Sequence, residues 1–496
     1  MDGMGNILWW LLILPVLVAL ISPVLPSARS ALALVMVGVP LIALLALWAV
    51  ITVFQAGPLL TVGGWLHLDA LSAFHLAVLM VVFVMSSVFA GVYFRHEPPA
   101  HALDRHSARR FAALWYGAMA AMTLVLLSNN LGVMWVGVEA TTLLTAFLIC
   151  LHVSPVSLEA TWKYLIVCSV GVAFAFMGVL LVAASIGAVS ATDTHLLHWT
   201  HLQAIAGNLD KNLMKVAFIF LLVGFGTKAG LAPMHSWLPD AHSQAPAPVS
   251  ALFSGFMLNM ALYAIMRFLP LVASATGGSG WASNLLIGFG LVSILVAAVF
   301  IVVQRDLKRF LAYCSVEHIG IIALGLGLGP LGAVAALFHT LNHSVCKALA
   351  FFSAGRLGQI YGTHDMRKIR ASLQVNRAWG TGMLAGILIL IGVAPFAIFM
   401  SEWFLIRAAV ESQRYGVLGL FLAGAVIVFA GSLRHAVGMA WGPRPASVKS
   451  VPSPVLEWLM VVLPLLFLLV LGLWMPPGFR HILESASVIL TGGGTP

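Results

Sequence analysis

Charged side chains are scarce in this chain. Of its 496 residues, 8% are Asp, Glu, Lys or Arg, and 61% are hydrophobic. Water-soluble domains carry about a quarter charged residues, so this composition excludes an ordinary soluble fold. The mean hydropathy of +1.03 points the same way. We therefore expect a single integral membrane domain over residues 1–496, with little mass outside the bilayer.

Cysteine is also rare, and the motifs of cofactor-binding enzymes are missing. The four cysteines, Cys150, Cys168, Cys314 and Cys346, lie far apart within or beside apolar segments. Without a CxxC pair or a Cys/His run, neither a structural zinc nor an iron–sulfur cluster is supported. The sequence also has no GxGxxG motif, P-loop, haem pair or Ser/His/Asp grouping. We expect no cofactor and no catalytic centre in this chain.

Apolar segments long enough to cross a bilayer recur along the whole sequence. A transmembrane helix needs about 20 such residues. The predicted fold is therefore an all-α polytopic membrane protein with about 14 transmembrane helices. Pro233 and Pro395 predict that the seventh and twelfth helices are broken. The predicted spans cover residues 7–24, 30–53, 70–94, 110–128, 131–152, 161–187, 214–235, 247–270, 283–304, 309–328, 331–356, 378–410, 415–438 and 455–474.

Basic residues are concentrated in alternate loops between these spans. The formal net charge of +9 could suggest a nucleic-acid partner. However, the basic clusters within 95–110 and 356–377 fall on the same side of the predicted membrane. Cytoplasmic loops are enriched in Lys and Arg. The pattern therefore predicts a multi-pass protein of the cell (inner) membrane with both termini on the outer side.

A weak internal symmetry divides the spans into two groups of five. Residues 110–270 contain an intramembrane acid followed by an intramembrane lysine on a broken helix. Residues 283–438 contain an intramembrane lysine followed by an acid on the other broken helix. An odd number of helices reverses the topology of the second group, as an inverted repeat requires. We predict two five-helix inverted repeats with these boundaries.

Lys228 and Glu139 are the charged residues that stand deepest in the first group. A lysine at membrane depth costs about 2.5 to 3.5 kcal/mol on insertion scales, so it indicates function by default. Glu139 lies among apolar neighbours in the fifth span. An ion pair that breaks and re-forms would shift the pKa of each partner, which is the basis of a gated proton site. The alternative is that Glu139 lies near a helix end and extends to the membrane surface.

Three titratable residues of the eleventh span follow a helical spacing. His339, His343 and Lys347 stand at i, i+4 and i+8, which places them on one helix face. Imidazole titrates near neutral pH and suits proton relay. Metal binding by the two histidines and simple polar packing are the alternatives. We favour the relay because HxxxH without a third ligand is weak evidence for a metal.

Two further sites complete the candidate set. His318, with Glu317 beside it, forms an ionisable pair in the tenth span, although a helix–helix hydrogen bond would account for it equally well. Glu402 follows Pro395 by seven residues and is a candidate exit site on the second broken helix. The alternative for Glu402 is a carboxylate near a helix end that pairs with Arg407.

Several segments resemble a known family of ion-translocating subunits. Residues 226–252 closely resemble the signature of the antiporter-like subunits shared by respiratory complex I, the Mrp antiporter and the membrane-bound hydrogenases. Residues 338–355 are similar to the eleventh helix of that family, and residues 305–315 to its ninth-to-tenth loop. The resemblance covers about residues 60–440. Within the family, the contexts of Glu139 and Glu317 look most like component F of hydrogenase-4-type complexes.

The resemblance implies roles for the candidate residues. It makes Glu139 and Lys228 the charge pair used for coupling, and Glu402 the terminal residue. The eleventh-helix relay of the family corresponds to His339, His343 and Lys347. Two positions depart from the family pattern. Asn259 stands where many complex I relatives carry an eighth-helix lysine, and Gln244 where relatives often have glutamate.

The same resemblance implies a function and partners. It favours a proton-translocating subunit, with sodium as the other ion to consider, in a redox-driven complex related to complex I and to membrane-bound nickel–iron hydrogenases. Its partners would be other membrane subunits and a peripheral redox arm that carries metal cofactors. An Mrp-type cation/proton antiporter subunit and the membrane module of an inorganic-carbon uptake system stay open. A non-conducting spacer is disfavoured, because several buried ionisable groups are costly unless used or paired.

Overall fold

The computed structural model describes residues 5–97, 102–187 and 195–492, which fold almost entirely into helices. The helices are α1 (Asn6–Ile21), α2 (Ala28–Ala56), α3 (Ala70–Arg95), α4 (Arg105–Leu127), α5 (Leu131–Ile149), α6 (Pro155–Ala184), α7 (Trp199–Ile205), α8 (Lys211–Ala229), α9 (Leu238–Gln244), α10 (Ala247–Leu252), α11 (Leu258–Thr276), α12 (Gly280–Val303), α13 (Leu307–Leu326), α14 (Gly329–Tyr361), α15 (Ser372–Val375), α16 (Arg377–Leu390), α17 (Ala397–Glu411), α18 (Tyr415–Ala440), α19 (Val455–Leu473) and α20 (Pro477–Leu490). A π-helical segment, Phe253–Met257, joins α10 to α11. Strands β1 (Leu59–Leu60) and β2 (His67–Leu68) form an antiparallel hairpin.

Each of the predicted spans corresponds to a helix or to a pair of helices. Within the described ranges, 12 helices are long and apolar enough to cross a membrane. The two other predicted spans are α14 and the pair α16/α17. Polar residues interrupt the apolar sequence of α14, although its 33 residues exceed the length needed to span. The prediction of an all-α polytopic membrane protein is confirmed.

Helices differ sharply in how far the protein shields them from the surroundings. In the most hydrophobic 18-residue stretch of the segment from α10 to α11, 100% of the residues are buried, and in that of α13, 94% are buried. The corresponding value for α18 is 28%, and for α1 and α2 it is 33%. Side chains such as Leu44 and Val426 on the outer helices face outward and suit contact with lipid. The inner helices therefore provide the sheltered environment in which charged groups can be held.

The seventh and twelfth predicted helices are broken at the predicted places. α8 ends before Pro233 and α9 follows it, while α16 ends before Pro395 and α17 follows. A glycine of positive φ stands at each break, Gly230 at φ 80 and Gly392 at φ 72. Such left-handed backbone ends a helix at little cost only when no Cβ is present.

Side chains satisfy the backbone groups that these breaks release. At the first break, Trp237 Nε1 donates to the carbonyl of Thr227 at 2.9 Å, and Ser293 Oγ accepts from the Ala232 N–H at 2.9 Å. At the second break, Asn342 Nδ2 donates to the carbonyl of Ala397 at 3.0 Å. Irregular backbone is tolerated at membrane depth when protein groups satisfy it in this way.

Four elements were not predicted from the sequence. The β1–β2 hairpin and the short helices α7 and α15 lie between spans, and α20 follows the last span. α20 has 14 residues, fewer than a crossing requires. Its Phe479 ring packs against Phe338 near the start of α14, with 6.0 Å between ring centroids. α20 therefore covers one end of the buried interior.

A candidate site of buried charged and polar residues

Lys228 is buried in the last turn of α8, directly before the first break, with 0% of its surface exposed. Its ammonium group donates to Thr142 Oγ1 on α5 at 2.9 Å and to Tyr164 Oη on α6 at 2.6 Å. The Tyr164 ring also faces the ammonium group, which lies 4.8 Å from the ring centroid. These contacts satisfy the hydrogen bonds of the ammonium group but leave its charge without a counter-ion.

Glu139 lies one helical turn from Thr142 on α5, yet it binds a different partner. Ser169 Oγ on α6 donates to its Oε1 at 2.8 Å, while its Oε2 is buried without a hydrogen bond. The structure therefore brings Glu139 and Lys228 into one cluster but does not join them in a salt bridge. We call Glu139, Thr142, Tyr164 and Lys228 the lysine cluster. Its arrangement corresponds to the separated form of the expected charge pair.

Hydroxyl groups, which the sequence reasoning missed, connect this cluster. Thr145 Oγ1 lies 2.6 Å from Tyr164 Oη, so Thr145 and Lys228 both contact one phenol. The only signal in the sequence is the i+3 and i+6 spacing of Thr142 and Thr145 after Glu139, which places all three on neighbouring positions of one helix face. Threonine is common in transmembrane helices, so this signal does not identify a site by itself.

An amide occupies the middle of the molecule between the two halves. Asn259 Nδ2 on α11 donates to Ser344 Oγ on α14 at 3.0 Å and to the Gly255 carbonyl at 2.9 Å. Its Oδ1 is buried without a partner. Nearby, Ser254 Oγ and Ser315 Oγ lie 2.7 Å apart and join the π-helical segment to α13. Polar groups thus connect α11, α13 and α14 at this level, although none of these four can carry a charge.

Lys347 is a buried cation in the middle of α14. Its ammonium group donates to the carbonyl of Leu311 on α13 at 2.6 Å, and none of its surface is exposed. Glu317, on the same helix as Leu311, has a buried Oε2 that makes no hydrogen bond. No salt bridge joins these two described residues. Like Lys228, Lys347 is held by neutral groups rather than by a carboxylate.

The histidines expected to act as a relay lie in contact with one another. His318 Nδ1 lies 2.8 Å from His339 Nε2, and His339 Nδ1 lies 2.9 Å from Ser401 Oγ. The His343 ring is 5.1 Å from the His318 ring, and both of its nitrogens are buried without a hydrogen bond. His339, rather than His343, therefore links α13 to α17. We call His318, His339, His343 and Ser401 the histidine cluster.

Glu402 follows Ser401 and faces the second break. A Cβ placed on Gly392 would come within 2.3 Å of Glu402 Oε2, so the glycine leaves the space in which this carboxylate lies. The side chain of Arg407 instead pairs with Glu411 at 3.3 Å. The structure thus places Glu402 beside the histidine cluster and not in the expected alternative pair.

Two sets of ion pairs fix the helices around these clusters. On one side, Asp240 of α9 accepts from Lys163 of α6 at 2.5 Å and from Arg309 of α13 at 2.6 Å. On the other side, Arg267 of α11 forms a bidentate pair with Asp69 at 2.6 and 2.7 Å. Burial alone would raise the pKa of Asp69, but the charge of Arg267 holds that pKa below its ordinary value. The first set anchors α9, next to the first break, whereas the second joins α11 to the N-terminus of α3.

Metal coordination has no support in the part of the chain that the structure describes. No group of three or more His, Cys, Asp or Glu residues there could hold a metal ion. The three histidines of the histidine cluster do not form such a group. The buried imidazole, amine and carboxyl groups are of the types that can donate and accept protons.

Comparisons with known proteins match most of this chain. Residues 128–428 match the family model described as NADH:quinone oxidoreductase/Mrp antiporter, TM. The hydrogenase-4 component F homolog of Methylacidiphilum infernorum is 35% identical over 433 residues, which are 86% of this chain and 89% of that protein. Hydrogenase-4 component B of Escherichia coli is 28% identical over 451 residues, 85% of this chain and 64% of that protein. A chain of the archaeal membrane-bound sulfane sulfur reductase has a TM-score of 0.85 at 25% identity, with 98% of both chains covered.

Proposed function

Because this chain belongs to the NADH:quinone oxidoreductase/Mrp antiporter transmembrane family, we propose that it is a proton-translocating membrane subunit of a redox-driven complex. The observation that carries the proposal is a series of buried titratable and hydroxyl groups that begins at the lysine cluster and ends at Glu402. Burying unpaired ionisable groups at membrane depth is costly, so such groups are retained where they serve transport.

The lysine cluster is the proposed coupling element. Lys228 is held by two hydroxyl groups, while Glu139 keeps one oxygen free of hydrogen bonds. A small rotation of α5 or of the Lys228 side chain would exchange the hydroxyl partners for the Glu139 carboxylate. Pairing would favour the charged form of both groups, and separation in this sheltered environment would disfavour it. A partner subunit that changes this pairing would therefore drive proton uptake or release at Lys228.

The second half provides the proposed exit route. A proton that reaches Lys347 would pass to the histidine cluster, where each imidazole can accept on one nitrogen and donate from the other. The contacts His318–His339 and His339–Ser401 lead from α13 to α17. Glu402 would then release the proton. Between Lys228 and Lys347, the polar groups around Asn259 offer hydrogen bonds to a chain of water molecules.

The orientation follows from the distribution of basic residues. We propose that the chain resides in the cell (inner) membrane, with the basic loops facing the cytoplasm and both termini facing outward. Protons would then enter near Lys228 from the cytoplasm and leave near Glu402. We propose that redox energy comes from partner subunits, as the hydrogenase-4 components and the respiratory complex among the relatives suggest.

Purification of this chain from its native membrane in mild detergent tests the proposal. We expect other membrane subunits of the same family to copurify, together with a peripheral arm that contains iron and, for a hydrogenase-4-type complex, nickel. Mass spectrometry and metal analysis of the purified material provide the measurement. A single soluble zinc-containing partner would instead indicate carbon uptake, and copurification with antiporter subunits alone would indicate cation exchange. Either of these results would contradict a redox-driven subunit.

A further inference from the structure

A strongly basic cavity lies at the end of the molecule where the basic loops cluster. It is formed by the C-terminal ends of α12 and α18 and by the loop that follows α14, and its volume is about 770 Å³. Four arginines and a histidine line it, namely Arg305, Arg367, Arg370, Arg434 and His435. None of the described residues that line it is acidic. The cavity takes no part in the proposed ion route.

Two of these arginines are held in place, and two are free. Arg370 NH1 donates to the Gly438 carbonyl at 2.6 Å, and Arg367 pairs with Asp365 at 2.7 Å. The guanidinium groups of Arg305 and Arg434 are exposed and make no hydrogen bond or ion pair with the described residues. One carboxylate, that of Asp365, thus pairs with one of the four guanidinium groups. The cavity carries an excess of positive charge that the chain itself does not neutralise.

The same cavity is continuous with the surface that faces lipid. Val302, Val303 and Val437 line it, and they are 40%, 65% and 45% exposed. They stand in the last turns of α12 and α18, where spanning helices reach the end of the hydrocarbon region. Apolar side chains and free guanidinium groups therefore meet within one cavity, at the depth where lipid headgroups begin.

We propose that this cavity binds the phosphate group of an anionic phospholipid, with the acyl chains lying along the valines. Guanidinium groups match phosphate oxygens with paired, charge-assisted hydrogen bonds. Basic pockets at the cytoplasmic ends of spanning helices provide this chemistry for acidic lipids. Arg305 and Arg434 supply the free donors, while Arg370 and the Arg367–Asp365 pair shape the wall. The valines favour a lipid over a free phosphate ion, because acyl chains can pack against them and a free ion cannot.

Lipid binding to the full chain in mild detergent tests this assignment. Native mass spectrometry with added phosphatidylglycerol, and separately with phosphatidylcholine of the same acyl chains, measures the bound fraction. We expect a preference for phosphatidylglycerol of at least about tenfold, and a loss of about 30-fold in the Arg305→Gln/Arg434→Gln double variant. The Arg305→Lys/Arg434→Lys variant should retain part of the binding, because charge remains while the paired hydrogen bonds are lost.

The control variant is Arg95→Gln/Arg105→Gln, which removes the same charge from the same end of the molecule outside the cavity. It should bind phosphatidylglycerol as the unchanged chain does. An equal loss in this control would overturn the proposal by showing a general effect of surface charge. Inorganic phosphate at about 10 mM is a modest excess over the Kd of a weak, millimolar phosphate site. Displacement of the lipid at this concentration would show a site for the free ion and would overturn the proposal as well. Occupation of the cavity by an acidic partner segment, detected by cross-linking from position 434, would also contradict it.

Discussion

The lysine cluster and the histidine cluster solve the problem of burying titratable groups in different ways. Around Lys228, the cation and the carboxylate are separated, and each is held by hydroxyl groups. Around His318, one imidazole contacts another directly, since His318 lies 2.8 Å from His339, and His339 in turn lies 2.9 Å from the Ser401 hydroxyl. In the proposed mechanism, the first arrangement would hold charge that can be paired or separated, whereas the second would conduct protons. The proposal thus assigns switching to the lysine cluster and conduction to the histidine cluster.

This difference predicts that the lysine cluster behaves as one unit. Glu139→Gln and Lys228→Met should each reduce proton translocation by about 100-fold or more, because either change removes the charge pair on which switching depends. The double variant should lose no more than the worse single variant, since both changes abolish the same interaction. Proton uptake by vesicles that contain the intact complex measures the effect.

Glu159→Gln serves as the control for this cycle, because Glu159 is an exposed acid on the neighbouring helix α6. It should leave proton uptake nearly unchanged. If the effects of Glu139→Gln and Lys228→Met multiply in the double variant, the two residues act independently and the switch model is wrong.

Within the histidine cluster, His339 should matter more than His343. His339 bridges His318 and Ser401, while the nitrogens of His343 make no hydrogen bond. We expect His339→Gln to slow proton translocation by about 100-fold, the lower end of the effect of a lost proton-transfer group. His343→Gln should slow it much less. The same vesicle assay compares the two, and a larger effect at His343 would require a path that this structure does not contain.

The phenol of Tyr164 tests whether the hydroxyl groups hold the separated charge. Tyr164→Phe removes the 2.6 Å hydrogen bond to Lys228 and leaves a buried ammonium group with one fewer acceptor. A lost hydrogen bond to a buried charge costs about 1.5 to 3 kcal/mol, so we expect translocation to fall by about tenfold. Tyr116→Phe is the matched control, since Tyr116 donates to the Leu34 carbonyl far from the cluster. Equal losses in both variants would indicate a general packing effect.

Ser401→Ala should have the smallest effect of the series. It removes one neutral hydrogen bond at the end of the histidine contacts, worth about 1 kcal/mol. A water molecule in its place would restore part of the connection, so we expect a loss of at most about fivefold. Ser432→Ala on α18 is the control, because that buried hydroxyl has no partner in the described structure. A complete loss at Ser401 would make this serine a required carrier rather than a bridge.

The sequence predicted the parts of this molecule that depend on composition and on local spacing. Apolar length identified the spans, and proline identified both breaks. Lys228 and Glu402 stood out because charge at membrane depth is rare. Their assignment as proton carriers stays a prediction.

The partners of these residues could not be predicted from the sequence. Helical spacing places His339 and His343 on one face of α14, but it does not say which of them meets His318 on α13. Tyr164, Thr142 and Ser401 carry ordinary hydroxyl groups whose importance depends on contacts between helices that lie far apart in sequence. The short helix α20 was not predicted, because its 14 residues are too few for a membrane span.

Proton translocation by the Lys228→Ala complex tests the central claim most directly. The complex is reconstituted in vesicles in sodium-free buffer, and proton uptake is compared with electron transfer in the same sample. The control is the Lys211→Ala complex, because Lys211 is an exposed lysine at the other end of α8. We predict that the Lys228→Ala complex assembles but moves protons at the background level, while the Lys211→Ala complex moves them normally. Undiminished proton uptake per electron in the Lys228→Ala complex would contradict the account.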